Sequence, residues 1–72
     1  EPFAKLGEFC VLECVDTAGF GAFMDWGLPK DLFVPTSKQK KPFKVGQKYI
    51  LMIELDEQTN RLIGTQKFQK YL

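Results

Sequence analysis

The spacing of its turn residues constrains this chain more than any other feature. Ala18-Gly19, Gly27-Leu28-Pro29, Pro35, Pro42, Val45-Gly46 and the polar Glu57-Gln58-Thr59-Asn60 divide it into short runs rich in Phe, Val, Leu and Ile. Short β-forming runs bounded by such residues read as strands. The first is Glu8 to Thr17, apolar residues with interspersed acids, which suits a half-buried strand. Phe20 to Trp26 is the second. Asp31 to Pro35 is the third, and proline ends it because it cannot supply a ladder N–H. In the fourth, Gln47 to Asp56, Tyr49, Leu51, Ile53 and Leu55 share one face and Ile50 and Met52 the other, which predicts burial on both sides. Arg61 to Gln66 is the fifth. Thr36 to Lys44 is polar, contains Pro42 and has room for one short helical turn at most. Lys67 to Leu72 reads as a closing helical turn that packs Phe68, Tyr71 or Leu72. Five strands with tight turns after the first and fourth predict an all-β chain folded as a small closed barrel, with residues 1–72 as a single domain.

At 72 residues the chain is near the size where one core only just offsets chain entropy, so a large internal active-site cavity is not expected. Its 44% hydrophobic and 26% charged residues are ordinary for a globular protein. No apolar run approaches the roughly 18 residues of a membrane span, and no secretory signal is present, so a soluble domain with no membrane partner is expected, and two unpaired thiols suit a reducing cytoplasm. The start at Glu1-Pro2-Phe3, without methionine, reads as a piece of a longer multi-domain protein.

The chain has no histidine and two cysteines, Cys10 and Cys14, in one predicted strand. Four residues along a strand span about 13 Å, and a disulfide reaches only about 7 Å between Cα atoms. The thiols are therefore read as small packing residues, and no metal or other cofactor is expected. Nothing places a base beside Ser37 or either thiol, and no spacing brings two of Asp25, Asp31 and Asp56 onto one face with a pocket. Catalysis is not expected.

"GFGAFMDWG", residues 19–27, sets Phe20, Phe23 and Trp26 close together among glycines. In a regular strand Phe20 and Phe23 point to opposite faces. A bulge at Gly21 would return them to one side. They are then either core residues or, with Phe33, an exposed aromatic patch of the kind that grips single-stranded nucleic acid. Trp26 reads better as a cover for the barrel's end, and Phe3, Phe9, Phe43 and Phe68 as packing residues.

These residues carry a resemblance. Phe20-Gly21-Ala22-Phe23, Phe33-Val34-Pro35-Thr36-Ser37, Val45-Gly46-Gln47 and Asp56 through Arg61-Leu62 are similar to the motifs of the S-one-type RNA-binding domain, a five-stranded OB-fold barrel named after ribosomal small-subunit protein one. The cold-shock domain shares some of these elements. "GAFMDWGLPKDLFVP" followed by "LDEQTNRL" looks most like one domain of the bacterial conserved virulence factor B family. The resemblance implies a cytoplasmic RNA-binding regulator of virulence-gene expression, with Phe20, Phe23, Asp56 and Arg61 at the RNA. The family's histidine falls on Pro35, which keeps a flat apolar surface and loses a hydrogen-bond donor. Phe33, on the same strand face, is the candidate to replace the lost stacking.

Charge is uneven along the chain. Residues 1–31 hold six acids and two lysines, whereas residues 32–72 hold eight bases and three acids. Lys30, Lys38, Lys40, Lys41, Lys44 and Arg61 are the candidate phosphate partners, and the acids are expected to face away from the groove or lie beside it. The expected ligand is single-stranded RNA, with weaker binding of single-stranded DNA, held with little sequence specificity by a monomeric domain. The competing expectation is a barrel that contacts neighbouring domains of its parent or another protein and has lost RNA binding. Asp56 is expected either to contact RNA, or to cap its turn or pair with Arg61.

Overall fold

Alternation along each run decides which side chains meet inside. The computed structural model describes residues 5–68, with strands β1 (Phe9–Ala18), β2 (Gly21–Asp25), β3 (Leu32–Pro35), β4 (Lys48–Asp56) and β5 (Arg61–Thr65). They close into a barrel in the order β1-β2-β3-β5-β4, the OB-type arrangement. Leu12 and Cys14 of β1, Ala22 and Met24 of β2, Leu32 and Val34 of β3, and Leu51 and Ile53 of β4 point inward at period two and form one core. Gly64 completes it, since a Cβ there would stand 3.0 Å from Val34 and 3.2 Å from Leu32.

Every seam is antiparallel except β3–β5, where Phe33 pairs with Ile63 in parallel. This seam is braced from outside. The predicted helical turn is a single 3-10 turn, Thr36–Lys38, and the residues after it tie β5 down. Gln66 donates its backbone N–H to the Lys38 carbonyl at 2.9 Å, and Lys40 donates to Gln66 Oε1 at 2.8 Å. Gln39 holds the connection from within, its Nε2 donating to the Val34 carbonyl and its Oε1 accepting from Phe43 N–H. Phe43 is then buried, stacked on Tyr49 at 3.8 Å between ring centroids.

Three expectations need correction. β4 is buried on both faces only from Leu51 to Ile53; Ile50 is 57% exposed and Leu55 also reaches solvent, because no described element covers the outer β1–β4 face or the barrel's end there. The bulge lies in β1, between Cys14 and Asp16, and not at Gly21, which pairs regularly with Ala18 and Pro35. Phe9 is half exposed, resting edge-on against Phe68 at 5.0 Å. Lys67 and Phe68 have no helical assignment, and the rest of the proposed closing turn, with Tyr71 and Leu72, lies outside the described residues, as does Phe3. No helix among the described residues is long and apolar enough to cross a membrane.

Candidate nucleic-acid interface

Strand register brings the three candidate phenylalanines together. Phe23 of β2 lies directly opposite Phe33 of β3, and both point outward because their neighbours Ala22, Met24, Leu32 and Val34 point in. Phe20 precedes β2 in the β1–β2 turn and reaches the same side without a bulge in its own strand. The ring centroids are 5.3 Å apart for Phe23 and Phe33, 5.7 Å for Phe20 and Phe33, and 6.3 Å for Phe20 and Phe23. Phe20 is 66% exposed and therefore not core, while Phe23 and Phe33 are half-buried. The turn that carries Phe20 is fastened to the 3-10 turn, with Thr36 donating from N–H to the Phe20 carbonyl at 3.1 Å and from Oγ1 to the Gly19 carbonyl at 3.3 Å. Gly21 leaves the space that the Phe33 ring occupies.

Trp26 is elsewhere. It is 7% exposed, belongs to the core, and its Nε1 donates to the Lys30 carbonyl at 2.9 Å. The β2–β3 connection is thereby closed on itself.

The other candidates sort by position along the strands. Pro35 sits opposite Gly21, two residues after Phe33 on the outward side. Immediately beyond it come Lys38, Lys40, Lys41 and Lys44, with no acid among residues 36–44. Lys38 is partly committed, since its Nζ lies 3.2 Å from Glu54 Oε2. The Lys40 ammonium lies 5.8 Å from the Phe68 ring centroid, and Lys41 is exposed. At the opposite end of the rings stand Lys30, next to Asp31, and Arg61, opposite Asp56.

Asp56 works within its turn. Oδ1 accepts from Gln58 N–H at 3.1 Å, Oδ2 accepts from Thr59 Oγ1 at 3.1 Å, and its carbonyl accepts from Asn60 N–H at 2.7 Å. Asn60 is the left-handed residue of that turn, with φ 58°. The turn-capping alternative is the one this geometry supports.

Sequence reasoning missed two features of this surface. An open groove of about 950 Å³ lies along β4, with Phe9, Pro35, Met52, Ile63, Lys38 and Glu54 among the residues that line it. Cross-strand register, invisible in the linear chain, also places Asp16 directly opposite Phe23, and Glu13 opposite Asp25. Among the described residues no group of three or more His, Cys, Asp or Glu side chains is placed to hold a metal ion. Burial pushes the thiol pKa of Cys10 and Cys14 up; Glu8 adds to this at Cys10, and hydrogen bonding to Asp16 and Phe23 opposes it at Cys14. The arrangement offers flat apolar ring surfaces at the end of β3 that leads into a connection carrying four lysines. No protein-family model matches this chain and no curated protein sequence matches it, so its function has to be argued from this geometry.

Proposed function

We propose that this barrel binds single-stranded RNA through stacking on Phe20, Phe23 and Phe33, with weaker binding of single-stranded DNA. The observation that carries the reading is the cluster of three outward rings within 6.3 Å of one another, one of them two-thirds exposed, at the edge of a lysine-rich connection. An exposed Phe on a strand-to-strand turn gains nothing for the core, whereas a base stacked on it is worth about 1–3 kcal/mol. Lys40 and Lys41 supply phosphate contacts, and Pro35 extends the apolar surface. With no histidine and few side-chain donors near the rings, readout of base edges is meagre and sequence specificity low. The resemblance to S-one-type domains, and within them to the conserved virulence factor B family, supports the same reading, that of one module in a cytoplasmic multi-domain regulator.

A second reading is favoured by a different surface. Val11 and Ile50 face each other across the outer β1–β4 seam, both exposed, with half-exposed Phe9 beside them. An aliphatic patch of this kind suits a contact with a neighbouring domain or another protein.

Amide-shift titration of the domain with a short uridine-rich strand at low and moderate salt tests the first reading. Salt-sensitive shifts at Phe20 to Met24, Phe33 to Ser37 and Lys40 to Lys41 are expected. Absence of shifts at both salts overturns it and leaves the protein-contact reading.

A further inference from the structure

The aromatic face has two unlike ends. β2 runs from Gly21 to Asp25 and β3 runs back from Leu32 to Pro35, so the rings of Phe23 and Phe33 lie between two charged borders. At the Gly21–Pro35 border stand exposed Phe20 and the lysine-rich connection. At the other border Asp25 extends β2 outward two residues past Phe23, and Asp31 lies two residues before Phe33. Asp16, opposite Phe23, closes the flank toward β1.

Among the described residues no lysine or arginine forms a salt bridge with Asp16, Asp25 or Asp31. Asp25 Oδ1 accepts only a weak 3.2 Å bond from Gly27 N–H, and Asp16 Oδ1 accepts from Thr17 N–H at 2.9 Å. Glu13 and Asp25 are directly opposite each other, a like-charge pair that costs stability wherever it occurs. Lys48 faces Glu13 on its far side, and Lys30 and Arg61 stand beside Asp31 and opposite Asp56. Each cation at this border therefore has a carboxylate next to it in register or in sequence. A phosphodiester arriving here meets a border that carries Asp16, Asp25 and Asp31 as well as cations.

We infer that the face takes a short strand segment of about three nucleotides, roughly one per ring, from one end only, below the roughly 4–16 nucleotides of an ordinary OB-fold groove. The inference rests on the nucleic-acid reading given above. The bases lie over Phe23, Phe33 and Phe20, the backbone leaves past Pro35 over Lys40 and Lys41, and Asp16, Asp25 and Asp31 exclude a phosphate from the opposite border. The ligand is thus a strand terminus, and the domain does not track along a continuous strand.

The test is a length series, with dissociation constants measured for uridine dinucleotide, trinucleotide and hexanucleotide at one fixed low salt. Affinity is expected to rise from dinucleotide to trinucleotide and to gain less than about tenfold from there to hexanucleotide, whose added phosphates meet only the lysines of the connection. A hexanucleotide that binds tenfold or more tightly than the trinucleotide overturns the inference and leaves the nucleic-acid reading intact. No binding by any of the three overturns both. In the Asp25→Asn, Asp31→Asn double variant, where asparagine can still accept from Gly27, the hexanucleotide is expected to gain affinity and to add about 0.7 to its log-log salt slope, one further phosphate contact. Trinucleotide affinity is expected to change little. Equal gains for both lengths in that variant would mean that the acids act only through net charge, and would overturn the border assignment.

Discussion

The Phe33 ring lies over Gly21 so closely that a Cβ on residue 21 would stand 2.5 Å from Phe33 Cε1 and 2.6 Å from the Val34 carbonyl oxygen. One glycine thus sets both the β2–β3 backbone spacing and the tilt of a ring in the candidate site. Gly21→Ala is expected to destabilise the barrel by about 1–3 kcal/mol, as overpacking does, because the Val34 carbonyl among the clashing atoms is backbone and cannot swing away. Chemical denaturation measures the loss, and ring-proton shifts of Phe33 report whether the ring has moved.

Phe20 and Phe23 should separate stability from binding. Phe20 is mostly solvated, so Phe20→Ala is expected to change stability by no more than about 0.5 kcal/mol while weakening RNA binding by about 1–3 kcal/mol. Phe23 is half-buried against Phe33. Phe23→Ala is expected to lose both binding and stability. Paired thermal melts and RNA titrations on the two variants check this, and a Phe20→Ala protein that melts far below wild type would contradict its solvated position.

Asp56 and Arg61 lie opposite each other in the β4–β5 ladder, but their expected phenotypes differ. Asp56→Ala removes two side-chain acceptors from the turn and is expected to cost about 1 kcal/mol of stability, the scale of a lost cap. Arg61→Ala is expected to leave stability within about 0.5 kcal/mol. Denaturation midpoints of the two variants decide the assignment.

The lysines of the connection divide in the same way. Lys38→Ala removes the partner that Glu54 holds at 3.2 Å on a partly covered surface. It is expected to lower stability by up to about 1 kcal/mol, less at high salt. Lys40→Ala and Lys41→Ala are expected to spare stability and each to flatten the salt dependence of RNA binding by about 0.7 on a log-log plot. An unchanged slope in both removes the connection from the site.

The thiols give a pH prediction. Both Cys10 and Cys14 have their pKa raised in the fold, chiefly by burial, so the native state holds these protons more tightly than the unfolded chain does. Their contribution to stability is intact below the ordinary thiol pKa, about 8.5, and is lost as pH rises from there through the folded values. Alkylation at neutral pH is expected to be very slow at fully buried Cys14, faster at half-buried Cys10, and fast at both after denaturation. Mass spectrometry of the labelled protein reads this directly.

Much of this protein is legible in its residue order because local chemistry punctuates it. Gly19, Pro29, Pro35 and the Glu57–Asn60 turn mark strand ends through backbone geometry alone, and period-two alternation in Ala22–Met24 and Leu32–Val34 identifies inward faces, so five strands and a barrel follow. From residue order alone Phe20 comes to the side of Phe23 only through a bulge at Gly21; in the barrel Phe20 reaches that side from the β1–β2 turn instead. What the linear chain does not carry is register between strands. The position of the bulge at Cys14–Asp16, the seat of Phe33 over Gly21, the pairing of Asp16 with Phe23 and of Glu13 with Asp25, and the Lys38–Glu54 contact all depend on which residue of one strand meets which of the next. The exposure of Ile50 likewise depends on whether another element covers the β1–β4 seam. Strand-to-strand register is settled by the packing of the whole core at once, and so only the closed barrel decides which charges border the aromatic face.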